Sequence, residues 1–257
     1  MHTAGRAAQQ HSGFSTGKSV TPALASARAP TVEPKVVVLG LAKSGTSSLY
    51  EFFKCGGEMT ISHGTCRGGG FCGPLFRRAS ESGLPLFQTS GGHYSVFTQL
   101  DYTPLSKQSP WYCYWPQVEL LPQMAREAPS ATFVLNFRSA HSWVKSITDW
   151  HLSDGTTQRY QLQFCNITGM PHGQASDAEL EAFYDGHIAR VQEFFRSHRS
   201  LKLLEIDIES DGVGDRLARG FAPAFNISAS CWGVHNSRQT HPARYRMRDN
   251  VKGRDAL

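Results

Sequence analysis

The chain of 257 residues is 40% hydrophobic and 11% aromatic, a composition that suits one buried α/β core in a single catalytic domain. Its net charge of +5 sits at the ends: Arg6, Lys18 and Arg28 face no acid in residues 1–32, and Arg238, Arg244, Arg246, Arg248, Lys252 and Arg254 outnumber Asp249 and Asp255 in residues 237–257. The body between them is slightly acidic, which argues against nucleic acid as a partner. No apolar run reaches 18 residues, so any membrane attachment needs an anchor absent from this chain.

Residues 1–34 are rich in Ala, Ser, Thr, Gly and Gln, end on Pro30 and Pro34, and read as a disordered leader or stem. Their lack of acids equally fits an organelle transit segment. Val36 to Leu39 follows as a short β-branched run, expected to be a strand buried on both faces of a parallel sheet. Thr46 to Phe53 then opens a helix. The turn Lys43-Ser44-Gly45-Thr46-Ser47-Ser48 between them points backbone N–H groups and a helix dipole at an anion. An NTPase phosphate loop requires Lys directly after its second glycine. Here Gly40 and Gly45 have that spacing, but Thr46 occupies the lysine position and the lysine comes early, at Lys43.

Residues 55–115 read as turn-rich and irregular, with Val96 to Leu100 as a short strand or helical turn; loops of this kind concentrate function. His63, His93 and Asp101 are the candidate bases there, and an imidazole with an ordinary pKa near 6.5 suits proton abstraction. Trp111, Tyr112, Tyr114 and Trp115 read mainly as packing. Gln117 to Ala128 predicts a helix broken or kinked at Pro122. Ala131 to Phe137 is a second strand, ending on Arg138, and helical spacing continues through Trp143, Ile147 and Trp150. Ser146 lies eight positions after Arg138. Ser176-Asp-Ala-Glu179 is a capping box that opens a long amphipathic helix, with Leu180, Phe183, Tyr184, Ile188, Val191, Phe194 and Phe195 on its buried face. Leu201 to Asp207 is a further strand and Arg216 to Phe221 a short helix. Alternating strands and helices predict a parallel α/β sheet with its ligand at the strands' carboxyl ends.

Ala42-Lys43-Ser44-Gly45-Thr46-Ser47-Ser48-Leu49 closely resembles the 5′-phosphosulfate loop of sulfotransferases, P-K-[ST]-G-T-[TS]-x-L, with Ala42 in place of the proline. Arg138 and Ser146 resemble that family's 3′-phosphate pair, R-[ND]-P-x5-S, although Ser139-Ala140 replaces the usual Asn-Pro. Ser237-Arg238-Gln-Thr-His241-Pro242 resembles the K-G-R-x-H-P segment of the carbohydrate branch without its first basic residue. The resemblance is nearer to the Golgi carbohydrate type than to the cytosolic branch. It implies a three-layer fold with a central parallel sheet, like that of P-loop NTPases, spanning residues 35–242, with 243–257 as a basic flexible tail.

The same resemblance implies sulfuryl transfer from 3′-phosphoadenosine 5′-phosphosulfate (PAPS) to a hydroxyl or amine, the acceptor being a carbohydrate. Lys43 then neutralises the leaving phosphate. Ser44, Gly45, Thr46, Ser47 and Ser48 hold the 5′-phosphate, and Arg138, Ser146 and Arg238 the 3′-phosphate. His63, twenty residues after Lys43, stands near the family's base, with His93 and Asp101 as alternatives, and no metal is required. Two rivals remain. One is a divergent nucleotide kinase or NTPase, against which stand the misplaced lysine and the lack of a convincing Mg²⁺-binding Asp at a strand end. The other is a non-catalytic nucleotide- or glycan-binding pseudoenzyme.

Cys55, Cys66, Cys72, Cys113, Cys165 and Cys231 permit three disulfides in fifteen pairings. Cys66 and Cys72 near His63 also admit a metal reading, though no second ligand pair accompanies them. Asn166-Ile-Thr168 and Asn226-Ile-Ser228 are glycosylation sequons. Together these features favour a glycoprotein of the Golgi lumen, with an organelle reached by a transit segment or the cytoplasm as alternatives.

Overall fold

The computed structural model describes residues 33–235 apart from 59, 92, 105–112, 153–154 and 223. Residues 1–32, Trp111, Tyr112, Arg238, His241, Pro242 and the tail 243–257 therefore lie outside the described residues.

Five strands, β1 (Val36–Val38), β2 (Ile61–His63), β3 (Val96–Gln99), β4 (Thr132–Phe137) and β5 (Lys202–Asp207), form one sheet in the order β2-β3-β1-β4-β5. Every pairing is parallel. The helices are α1 (Thr46–Cys55), α2 (Cys72–Glu81), α3 (Pro116–Glu119), α4 (Leu121–Glu127), α5 (Ala140–Asp149), α6 (Gln158–Leu162), α7 (Asp177–Ser197) and α8 (Val213–Phe221). This is the expected three-layer α/β architecture, and the period-two alternation of the strands builds it. Val36, Val38 and Val134 pack with Phe52 and Phe53 of α1 and with Leu217 and Phe221 of α8. Their neighbours Val37, Phe133 and Leu135 point the other way, against Phe76 of α2, Met124 of α4 and Val191 and Phe195 of α7. Each fully buried side chain of this kind stabilises the fold by roughly 1.5–3 kcal/mol. Phe133→Ala, at the centre of the second layer, should cost about 3–5 kcal/mol.

A third cluster joins α5 and α7 through Trp143, Ile147, Phe183 and Tyr184. The α7 capping box forms as the sequence predicts: Ser176 Oγ accepts the Glu179 N–H, and the Glu179 carboxylate accepts the Ser176 N–H at 2.8 Å. The helix expected over 117–128 is instead two, broken at Leu120, where the backbone leaves helical geometry. Pro122 sits in the first turn of α4, where its missing N–H has no intrahelical acceptor to lose.

The larger correction is between residues 55 and 115, which contain a strand, β2, and a ten-residue helix, α2, where irregular structure was expected. Glycines and Pro74 mask the pattern. Proline is tolerated in a first turn, and Phe76 and Ala79 supply the buried face. Cysteines pair as Cys55–Cys231, Cys66–Cys72 and Cys113–Cys165. The second pair closes the Gly-rich loop between β2 and α2, so those sulfurs are not metal ligands.

Candidate functional site

The turn after β1 is held from behind. His187 of α7 donates its Nε2–H to the Leu39 carbonyl at 2.9 Å, Trp143 of α5 donates its indole N–H to Ala42 O at 2.8 Å, and Asn136 of β4 donates its side-chain amide to Ser44 O at 2.6 Å. With those carbonyls turned inward, the opposite side is left to the N–H groups of the first turn of α1, which have no intrahelical acceptors and carry the positive end of the helix dipole. Glycine at position 40 is obligatory, because a Cβ there would lie 2.2 Å from the carbonyl and side-chain oxygens of Asn136. Gly45, with φ at +89°, lets the chain reverse into α1 without Cβ strain. Lys43 has φ at +69° with no such exemption, and the only non-glycine positive φ among the described residues thus falls on the predicted catalytic lysine. Its ammonium rests over the Trp150 ring, 3.3 Å from the centroid.

Arg138 emerges at the carboxyl end of β4, next to this turn. Its guanidinium pairs with Glu209, just beyond β5, through Nη2 at 2.7 Å and Nε at 3.1 Å, and donates to the Lys43 carbonyl at 3.4 Å. Glu209 also accepts the Ser139 N–H at 3.1 Å. Partial burial works to raise the Glu209 carboxyl, but hydrogen bonds from Arg138 and from Ser139 outweigh it and hold the group down at about 2. One hydroxyl links the two segments: Tyr184 Oη accepts the Arg138 N–H at 3.1 Å and bonds Ser44 Oγ at 2.8 Å. Burial raises its pKa to about 12, so it stays a neutral phenol. Nothing in the sequence distinguishes Tyr184 from the other buried residues of α7, nor singles out Asn136 or Glu209. Only the sheet order reveals them.

On the other side of β1, His63 ends β2. Its Nδ1 lies 3.0 Å from Thr98 Oγ1 of β3, and its Nε2 lies 3.4 Å from Ser47 Oγ in the first turn of α1. Burial depresses the imidazole to about 4, against the nearby Glu51 carboxylate, so it is neutral at physiological pH. Asp101 follows β3 and is buried. Burial raises its carboxyl to about 6, although side-chain amides of Gln117 (3.2 Å) and Gln99 (3.1 Å) donate to it.

A cleft of about 1310 Å³ runs along this carboxyl edge of the sheet. Lys43, Gly45, Thr46, Ser47, Ser48, His63, Arg138 and Ser146 all line it, joined by Ser142, Lys145 and Trp150 from the α5 side, by Glu209, and by Trp232 and His235 beyond α8. Asp101 lines it too, beside Phe71, Arg78 and Tyr102. Two predicted residues are not brought in. Ser44 is completely buried with its hydroxyl bound to Tyr184, behind the turn rather than in front of it. His93 is exposed against the Tyr94 ring and does not line the cleft. Arg238 lies outside the described residues.

The cleft collects cations and hydroxyls at the carboxyl ends of β1 and β4, where the chain switches from one side of β1 to the other, and anions bind at such a point in parallel sheets. Comparison with curated proteins gives no match. A family model described as a sulfotransferase domain matches residues 35–214, from the start of β1 to the first turn of α8. That span holds all five strands, the Lys43 turn and the Arg138 segment, and the chain belongs to the sulfotransferase domain family.

Proposed function

We propose that this sulfotransferase moves the sulfuryl group of PAPS to a hydroxyl, or an amine, of a carbohydrate acceptor. One observation carries the reading: a single cleft joins an anion turn with an early lysine to a second cationic station at Arg138 and to a neutral imidazole at His63. The donor set fits a molecule with two separated anionic groups. Thr46, Ser47, Ser48 and the first-turn amides of α1 would hold the 5′-phosphate, and Arg138 with Ser146 the 3′-phosphate. Bound PAPS supplies the sulfuryl group, its 5′-phosphate leaving with the electron pair of the broken sulfur–oxygen bond. Lys43 would neutralise charge developing on that phosphate, and His63 would take the acceptor's proton. Catalysis is then positioning and electrostatic stabilisation, as in phosphoryl transfer.

Three disulfides and exposed Asn166 and Asn226 in their sequons support a Golgi-lumenal glycoprotein. Among the described residues no helix is long and apolar enough to cross a membrane.

Calorimetric titration of adenosine 3′,5′-bisphosphate against ATP, together with transfer from labelled PAPS onto a panel of glycans, phenols and small metabolites, tests the reading. Preference for the bisphosphate and labelled glycan are expected. Mg²⁺-dependent preference for ATP would replace it with a kinase, bisphosphate binding without transfer to any acceptor with a pseudoenzyme, and transfer to phenols alone would remove the carbohydrate.

A further inference from the structure

A histidine can act as a base toward the cleft only through the ring nitrogen that lacks a proton, and which nitrogen that is depends on what the other one meets. In His63 the other nitrogen meets Thr98. Thr98 Oγ1 is completely buried in β3 and donates its single hydrogen to the Ser62 carbonyl at 3.0 Å. The hydroxyl therefore has only lone pairs to offer the His63 Nδ1, 3.0 Å away. The contact is made only if Nδ1 carries the proton. Nε2 is then the unprotonated nitrogen, and it faces Ser47 Oγ at 3.4 Å on the cleft side. The Ser47 contact is long, so an incoming hydroxyl can displace it.

We infer that Thr98 is the positioning residue that sets His63 in its Nδ1–H tautomer and leaves the Nε2 lone pair directed at the acceptor. This rests on the proposed role of His63 as base. The Ser62-to-His63 peptide makes the device self-consistent: Ser62 and His63 are neighbours on β2, Thr98 lies across from them on β3, and one hydroxyl accepts from the ring while donating to the adjoining carbonyl. When Nε2 takes the acceptor's proton, Nδ1–H stays bonded to Thr98, so the ring need not turn during transfer. Thr98 lies in β3 between Phe97 and Gln99, the register partners of Ser62 and His63, at a point where the register shifts by one residue.

The test uses Thr98→Val, which keeps the β-branched shape in the strand, with Thr98→Ser as the conservative rescue. Long-range nitrogen–proton NMR of the protein without donor or acceptor reads the tautomer independently of activity. Wild type and Thr98→Ser are expected to show a protonated Nδ1, and Thr98→Val to shift to Nε2–H. In steady state Thr98→Val should lower kcat about tenfold or more with KM for PAPS unchanged, and Ser should restore kcat. A wild-type ring protonated on Nε2, or a Thr98→Val protein whose tautomer and kcat both match wild type, overturns the inference. His63→Ala separates the two claims. Full transfer in that variant removes His63 as base, whereas a dead His63→Ala beside a fully active Thr98→Val removes only the role of Thr98.

Discussion

The two halves of the cleft are built differently. On the β4 and β5 side, every element of the anion station is tied to the core: three buried side chains from β4, α5 and α7 hold the carbonyls of the Lys43 turn, and Tyr184 fastens that turn to Arg138. On the β2 and β3 side, the walls come from short strands and a Gly-rich loop closed by Cys66–Cys72, and an exposed Phe71 stacks on Tyr102, 4.4 Å between centroids. On the proposed reading the first is the donor side, whose groups the fold itself holds in place, and the second is the acceptor side, a local construction on the edge of the same sheet. Changes on the first side should therefore act through nucleotide binding and the chemical step together, and changes on the second through acceptor and base alone.

Lys43→Ala should produce the largest effect, lowering kcat by about 10²–10³-fold, the loss seen when one preorganised charge-stabilising group is removed. Lys43→Gly should lose as much activity, but with a melting temperature at or above wild type, since glycine removes the cost of φ at +69°. Near-normal transfer in either variant, measured with labelled PAPS, would break the assignment of the anion side.

Next in size is Arg138→Ala, expected to weaken adenosine 3′,5′-bisphosphate by about 10–100-fold through loss of a charge-assisted contact of about 1.5–3 kcal/mol. Glu209→Gln sharpens the point. Because Glu209 grips both Arg138 and the Ser139 N–H, it orients the guanidinium, and its neutralisation should weaken the bisphosphate as well. Tighter binding in Glu209→Gln by calorimetry would show instead that the carboxylate competes with the phosphate for Arg138.

Tyr184→Phe is a milder break in the same station. It removes the hydroxyl that joins Ser44 to Arg138 and keeps the ring stacked on Trp143, 4.7 Å between centroids. A cost of about 1–2 kcal/mol in stability is expected from unfolding in urea, with weaker bisphosphate binding. Unchanged binding would mean that the two phosphate stations are positioned separately.

The sequence makes the donor side legible and leaves much of the acceptor side hidden, for physical reasons. Residues 36–39 and 131–137 announce buried parallel strands by continuous apolar runs, and the proposed ligand side chains follow within a few residues of the strand ends, so Lys43 and Arg138 can be read in place. Ser44 misleads because its spacing fits a phosphate contact while its side chain turns back to Tyr184, a partner 140 residues away. Tyr184, Asn136 and Glu209 act only through contacts that the β2-β3-β1-β4-β5 order creates. On the acceptor side β2 is three residues long and α2 begins among glycines and a proline, so neither shows a period. His63 could be reached only by its distance from Lys43. The resemblance that supplied that distance is specific in the two donor segments and thin in between.

A last expected effect concerns pH, and it also divides by side. His187, behind the donor turn, and His63, on the acceptor side, are both depressed by burial to about 4 from an ordinary 6.5. Between those values the unfolded chain binds more protons than the native one, so each contributes stability that is full above about pH 6.5 and is lost as pH falls toward 4. Asp101, raised by burial from 3.8 to about 6, has the opposite sign: its native form holds the extra proton, and its contribution is lost as pH rises through that window. On the acceptor side His63 and Asp101 therefore oppose each other, and the net acid sensitivity should come from the donor side. Melting temperatures from pH 7 to 4 should fall for wild type, fall more steeply for Asp101→Asn, and flatten for His187→Gln, whose amide can still donate to Leu39 O. A profile that stays steep in His187→Gln but flattens in His63→Gln would place the acid-sensitive balance on the acceptor side and undo the comparison.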